Sequence, residues 1–207
     1  MYSHYRILRK CLDGPWTHNE ESTDTELGLD REEGDWYLYF QGSFSFLDWI
    51  YNLMFFSKPY KDMKDPFRFH DGFIQKYKAV RQWIYRQLED QGITDLTVAG
   101  FSQGAGVALL CAEDLLFRFP SLSIRETVLF GCPKPTDSSG KRILEERLGE
   151  IHHYRYGNDI VTELPPWGSR PGETYQLGPA YHPLAISIKD HTRYEEIRNQ
   201  DFARFQH

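Results

Sequence analysis

Apolar positions along this chain follow two alternating rhythms. Trp36-Tyr37-Leu38-Tyr39-Phe40 is a short aromatic run closed by Gln41-Gly42-Ser43, the pattern of a strand ending in a turn. From about 72 to 91, Phe73, Tyr77, Val80, Ile84 and Leu88 recur at helical spacing. Leu96-Thr97-Val98-Ala99 then reads as a buried strand over 95–99. A helix over 103–118 follows, with Gly104, Val107, Ala108, Cys111 and Leu115 on one face. Its residues Glu113, Asp114 and Arg118 fall where water is expected to reach them, and Pro120-Ser121 stop it. Thr127-Val128-Leu129-Phe130 predicts a second buried strand, closed by Gly131-Cys132-Pro133. Residues 138–149 have helical character, and 151–156 read as a strand that ends at Gly157-Asn158-Asp159.

Other stretches break these rhythms. Residues 13–34 are polar and acidic and read as a variable surface segment or short helix, so that 1–34 stands apart from the rest. The run from Phe44 to Phe56 is apolar on almost every side. A Pro- and Gly-rich loop is expected over about 165–180, and an amphipathic helix from about 192. There are no internal repeats. Strands alternating with helices predict an α/β fold with a mainly parallel, twisted sheet flanked by helices. The 207 residues are expected to form one compact domain. In such sheets the active site lies at the carboxyl ends of the strands, and Ser43, Ser102 and Asp159 each follow a predicted strand.

Composition narrows the function classes. The net charge is −6 with no basic run, which argues against nucleic acid as a partner. No stretch approaches the roughly 20 apolar residues of a membrane span, and the first residues lack the apolar core of a secretory signal. The cytoplasm is therefore the favoured location, with a mature form or export by another route as the alternatives. The three cysteines, Cys11, Cys111 and Cys132, form no disulfide framework, and none has a spacing that suggests metal binding. With 14 Phe, 13 Tyr and 5 Trp the chain has aromatic surface enough for a heavy core or for a pocket that takes apolar ligands.

The chemistry centres on Gly100-Phe101-Ser102-Gln103-Gly104, placed between a strand and a helix. A serine on such a turn is pushed out of the sheet with its hydroxyl exposed, and glycines two residues to either side let backbone and helix come close. The plainer reading is a glycine-rich turn feeding a helix. A serine nucleophile needs a base and a carboxylate behind it, and on this type of fold they follow in the order Ser, acid, His. That order leaves His182, His191 and His207 as bases. Asp159 is the strongest acid, with an Asx turn capping the strand end as the lesser alternative. Asp190 and Glu173 are weaker acids, and His182 is the rival of His191.

From about 35 to 195 the chain resembles the class 3 lipases of the α/β-hydrolase fold. The resemblance is carried by motifs in matching order. They are Tyr39-Phe40-Gln41-Gly42-Ser43-Phe44-Ser45 with Asp48-Trp49 and Asn52-Leu53, then Phe69-His70-Asp71-Gly72-Phe73, then Val98 to Ala105. Phe130-Gly131-Cys132-Pro133-Lys134-Pro135, Asn158-Asp159-Ile160-Val161 with Leu164-Pro165-Pro166, and His191-Thr192-Arg193-Tyr194 complete the set. The resemblance implies Ser102 as nucleophile, Asp159 as acid and His191 as base. It implies an oxyanion hole from the backbone N–H groups of Ser43 and Gln103, and neither metal nor cofactor. It also implies a lid or acyl groove within 44–62, for which Phe44, Phe46, Trp49, Met54 and Phe55 are candidates, with Phe101 beside them; ordinary core packing is the alternative. The expected activity is hydrolysis of carboxylic esters of lipids through an acyl-enzyme, with transient contact at a lipid surface. Departures are local. Phe101 stands where the family usually has His, Gln103-Gly104-Ala105 replaces Leu-Gly-Gly, and Gln41 replaces Arg. Gly-Phe-Ser-Gln-Gly is instead similar to small carboxylesterases and acyl-protein thioesterases. Short or soluble esters and thioesters are thus the alternative substrates, and a non-catalytic lipid-binding relative is a third reading. The oligomeric state is left open.

Overall fold

The computed structural model describes residues 4–42, 57–60, 67–179, 181–182 and 185–205, the last three without their side chains. Among them is a seven-stranded sheet, preceded by helix α1 (His4–Asp13). Strands β1 (His18–Glu20), β2 (Thr25–Glu32) and β3 (Asp35–Phe40) form its antiparallel edge. β6 (Asp95–Phe101), β7 (Ser123–Phe130), β8 (Ile151–Tyr156) and β9 (Glu173–Leu177) continue it from β3 in parallel. A separate hairpin pairs β4 (Ser57–Tyr60) with β5 (Phe67–His70). Helices α2 (Asp71–Asp90), α3 (Gln103–Arg118) and α4 (Ser138–Leu148) supply the crossovers, and α5 (Ile188–Thr192) lies near the end of the chain. Among the described residues no helix is long and apolar enough to cross a membrane.

The strand period of two builds two cores. In β3, Leu38 and Phe40 face the side packed by α2, α3 and α4, while Tyr37 and Tyr39 face the side packed by α1 and the C-terminal turns. On the first side Phe73, Tyr77, Val80, Ile84 and Leu88 of α2 are buried against Val107, Ala108, Cys111 and Leu115 of α3. On the second, Ile7, Leu8 and Cys11 of α1 meet Ala99, Val128 and Phe130. The registers Phe40↔Gly100, Phe101↔Phe130 and Phe130↔Tyr154 bring the carboxyl ends of four strands level, so the turns that follow share one rim.

Four expectations are corrected. Residues 13–34 hold β1 and β2 rather than a surface segment or helix. The charges of Asp30 and Glu32 hid that strand, and Lys10 of α1 pairs with both, at 2.6 and 2.9 Å. The loop over 165–180 contains β9. Beyond residue 192 the chain forms short 3₁₀ turns, not an amphipathic helix. Glu113 and Asp114 are buried, not solvated. Asp114 accepts hydrogen bonds from Tyr60 (3.2 Å), Tyr77 (2.6 Å), Tyr85 and Arg118, and Glu113 pairs with Arg147 of α4. The predicted helices 72–91 and 103–118 and the strand 151–156 stand where expected.

Candidate active site

The turn from β6 into α3 is strained by design of its residues. Ser102 has φ 55° and ψ −121°, outside the regions ordinary residues prefer. It occupies the N-cap position of α3 yet makes no side-chain capping bond, so its hydroxyl is turned away from the helix. Two glycines permit the turn. A Cβ on Gly100 would lie 2.4 Å from the Gly104 carbonyl oxygen, and one on Gly104 would lie 2.3 Å from that of Gln41. The Ser102 N–H donates to the Phe130 carbonyl at 2.8 Å, which extends the β6–β7 pairing into the turn.

The structure brings Ser102, His191 and Asp159 together. Ser102 Oγ lies 2.7 Å from His191 Nε2, and His191 Nδ1 lies 2.8 Å from Asp159 Oδ2. All three residues are buried. Asp159 also caps the 3₁₀ turn Ile160–Glu163, its Oδ1 accepting from the Val161 N–H at 2.9 Å. The Asx turn and the imidazole contact are therefore not alternatives, since each uses a different carboxylate oxygen. His191 sits within α5, whose Ser187 cap is hydrogen-bonded to Asn158 and Ile160 at the exit of β8.

The rival candidates have other places. Asp190 accepts from the Asn158 N–H at 2.7 Å, Glu173 lies exposed on β9, and His182 is exposed with its N–H on the Asn158 side chain. His70 is the N-cap of α2, where its ring accepts from the Gly72 N–H. Gln103 is the first residue of α3 and is buried. Phe101 is half-buried, and its ring stacks on the His191 imidazole with centroids 5.3 Å apart and planes 16° apart. Ser43, Phe44, Phe46, Trp49, Met54, Phe55 and His207 lie outside the described residues.

Two supporting residues belong to quoted motifs but had no role assigned. Tyr194 Oη lies 3.1 Å from Asp159 Oδ2 and accepts from the Tyr156 N–H at 3.0 Å. Burial, with the Asp159 charge beside it, pushes the Tyr194 phenol well above its usual pKa, so it stays a donor. Gly131 has φ 58°, and a Cβ there would come within 3.1 to 3.2 Å of His191, Asp159 and Tyr194. A third, His153, was set aside by chain order. It is buried and accepts from the Cys132 N–H at 3.2 Å, fixing the turn that carries Gly131. For Tyr194 the available signal was the i+3 spacing from His191; for Gly131 it was a glycine immediately after a buried strand.

Among the described residues, His4, Glu126 and His152 alone have the donor set and closeness for a metal ion, and they lie away from this rim. Chemically, the rim holds a hydroxyl whose proton can pass to an imidazole backed by a buried carboxylate. That arrangement suits nucleophilic acyl transfer.

A family model described as Lipase (class 3) matches residues 37–169. A curated lipase from Rhizomucor miehei is 28% identical over 157 residues, covering 73% of this chain and 43% of its own length. The chain spans less than half the length of the first curated relatives it matches. The solved Rhizomucor miehei triacylglyceride lipase superposes with a TM-score of 0.67 at 28% identity, over 75% of this chain and 62% of that one. The lipase from Rhizopus microsporus var. chinensis shares the fold at a TM-score of 0.73 and 24% identity, over 86% and 71% of the two chains.

Proposed function

Because the chain belongs to the class 3 lipase family, we propose that it hydrolyses carboxylic esters of lipids through Ser102, His191 and Asp159. One observation carries the reading: the unbroken path from Ser102 Oγ through both His191 nitrogens to Asp159 Oδ2, at 2.7 and 2.8 Å. Such a path also favours a catalytic protein over a binding relative.

In this reaction His191 Nε2 takes the Ser102 proton as the oxygen attacks the ester carbonyl carbon. The C–O bond to the alcohol breaks, and His191 returns the proton to the departing alkoxide. Water then attacks the acyl-enzyme by the same exchange and frees the acid. Asp159 stays ionised, holds the ring orientation and offsets the charge of the imidazolium. The negative oxygen formed at each attack is met by the N–H of Gln103, at the positive end of α3, and by that of Ser43. Stacking of Phe101 on His191 shields one face of the base and limits its rotation.

Lipid as the substrate class is supported by the family and by apolar side chains near His191. Ile186 is 70% exposed and Ile188 48%, which suits transient contact with a lipid surface. The elbow Gly-Phe-Ser-Gln-Gly favours a second substrate class, soluble esters and thioesters. Ser102→Ala is expected to abolish turnover of a p-nitrophenyl acyl ester and labelling by a fluorophosphonate probe; retained turnover would sink the proposal. Relative rates on emulsified triglyceride, phospholipid, short ester and acyl-thioester separate the substrate classes. A rate jump above the solubility limit of the ester supports action at a lipid surface, and smooth saturation through that limit counts against it.

A further inference from the structure

Three side chains that the proposed chemistry does not use converge at the opposite end of the sheet. Glu126 lies in β7 four residues before Phe130, and His152 is the second residue of β8. At about 3.3 Å per residue this puts Glu126 roughly 13 Å upstream of the rim. Both belong to the strand face covered by α1, whose first residue is His4. His4 Nε2 lies 2.8 Å from Glu126 Oε2, and His152 Nε2 lies 3.6 Å from the same oxygen. The two rings are 4.9 Å apart between centroids. One ligand atom from each of the three residues falls within 4.8 Å of every other.

We propose that His4, Glu126 and His152 form a binding site for a divalent transition-metal ion, zinc foremost, that clamps α1 to β7 and β8. The donor set is two imidazoles and one carboxylate, which suits zinc. Zinc bonds of about 2.0–2.1 Å in tetrahedral geometry put neighbouring donor atoms about 3.3 Å apart. The observed 2.8 and 3.6 Å bracket that separation. Coordination therefore needs side-chain adjustments of a few tenths of an ångström at these two pairs.

The surroundings add two features of a built site. His4 Nδ1 shares a hydrogen bond with the hydroxyl of Tyr154, a buried residue of β8. That contact fixes the ring so that Nε2 faces the other donors, as an outer hydrogen bond does for metal-binding histidines. Glu150 Oε2 stands 3.5 Å from His152 Nε2 and is exposed, so it or water can fill the fourth position. The donors come from three separate elements, and His4 and Glu126 are 122 residues apart in sequence. An ion here ties the N-terminal helix to the sheet. Its expected consequence is thermal stability rather than a part in ester cleavage.

The test is titration of the tag-free full chain with zinc chloride, read by calorimetry and by Tm. One equivalent is expected to bind, and at a hundredfold excess over Kd the Tm is expected to rise by about 5–10 °C. His152→Gln and Glu126→Gln, each checked for fold by circular dichroism, are expected to weaken binding at least about tenfold and to lose the Tm rise, and Tyr154→Phe to weaken it about 10- to 100-fold. No saturable binding in the millimolar range overturns the proposal. So does binding of undiminished affinity in both carboxylate and imidazole variants, which would place the ion elsewhere, on His191 for example. Cobalt(II) on the native chain gives a reading that needs no variant. Intense visible bands of a tetrahedral site support the proposal, and only the weak bands of an octahedral ion overturn it.

Discussion

Gly104→Ala tests the proposed oxyanion hole separately from the fold. An added Cβ would lie 2.3 Å from the Gln41 carbonyl oxygen and 2.6 Å from that of Phe40. Ordinary contact begins at 3.4 Å, so the end of β3 and the start of α3 must separate by about 1.1 Å. Both clashing partners are backbone and cannot rotate away. Gln41 leads within two residues to Ser43, and Gly104 follows Gln103. The wedge therefore displaces the start of α3, which carries the Gln103 N–H proposed to meet the oxyanion, from the strand end it packs against. Misplacing such a group by about 1 Å costs on the order of 10²-fold, and losing one donor about 10²–10³-fold. Stability changes less. Alanine in place of glycine in a helix contributes about 1 kcal/mol, and overpacking costs about 1–3 kcal/mol. The net loss of at most about 2 kcal/mol leaves a domain of ordinary stability folded. The assay is kcat and KM on p-nitrophenyl butyrate beside Tm. The control is Gly106→Ala, whose Cβ would meet the Phe73 ring at 2.8 Å, in the core and away from the donors. The control is expected to lower Tm and leave kcat near the parent, and Gly104→Ala to lower kcat about 10²-fold or more while Tm falls by no more than about 4–8 °C. A Gly104→Ala enzyme with parental kcat, or one whose kcat falls only in step with its Tm, would refute the reasoning.

Two further outcomes follow from the groups beneath the rim. Tyr194→Phe leaves the buried Tyr156 N–H without the acceptor it has at 3.0 Å and takes from Asp159 Oδ2 a donor at 3.1 Å. A loss of this kind costs about 1–3 kcal/mol of stability, and kcat is expected to fall about tenfold if about 1.4 kcal/mol of it is felt at the transition state. A lower Tm with unchanged kcat and KM would assign the hydroxyl to the fold alone. His153 gives a pH dependence. Burial, with Arg170 and Arg155 nearby, holds its imidazole well below the ordinary value of 6.5. Below that pH the unfolded chain takes up a proton that the native chain does not. Its contribution to stability is therefore intact above the unfolded pKa and falls with pH by about 1.4 kcal/mol per unit until the folded pKa is reached. Urea midpoints between about pH 7 and about pH 5 are expected to fall less steeply in His153→Gln than in the parent, and parallel slopes would show that His153 is not the group involved.

What the sequence disclosed depended on how local the cause was. The elbow, α3 and β8 were legible because a short apolar run, two glycines and a helical face lie within a few residues of one another. Ser102, Asp159 and His191 could be ordered along the chain, but their 2.7 and 2.8 Å contacts depend on where β8 and α5 dock. The errors arose where a distant partner decides. Thr25, Leu27 and Leu29 point inward at strand period, yet the intervening charges made β2 resemble surface. Lys10, on an element 20 residues away, offsets Asp30. Asp114 was read as solvated because its tyrosine partners lie in α2 and β4, up to 54 residues away. Tyr194, Ile197 and Phe202 are buried at spacings that fit a helix, but the chain reaches those contacts in separate 3₁₀ turns.

The same distinction explains what keeps the site aligned. The turn at Gly131 runs close enough to His191 and Asp159 that a Cβ there would meet both, and residues outside the turn hold it in place. His153 takes the Cys132 N–H, and Arg170 Nη1 donates to the Cys132 carbonyl at 2.9 Å and to the Thr162 carbonyl at 2.6 Å. Arg170 thus ties the Gly131 turn to the 3₁₀ turn that Asp159 caps. Tyr194 adds the third tie, from the carboxylate to the backbone of β8. Each tie is a polar side chain in a segment that reads as strand, loop or helix, and none of the three carries the proposed chemistry. Directed bonds of this kind hold position more tightly than apolar packing, because a small displacement leaves a buried donor or acceptor unpaired. The rim can therefore keep Ser102 in a strained conformation without a side-chain cap, since the groups facing it cannot drift. Substitutions at residues 153, 170 and 194 are expected to act on kcat through that alignment, although none of the three bonds to Ser102 in the described structure.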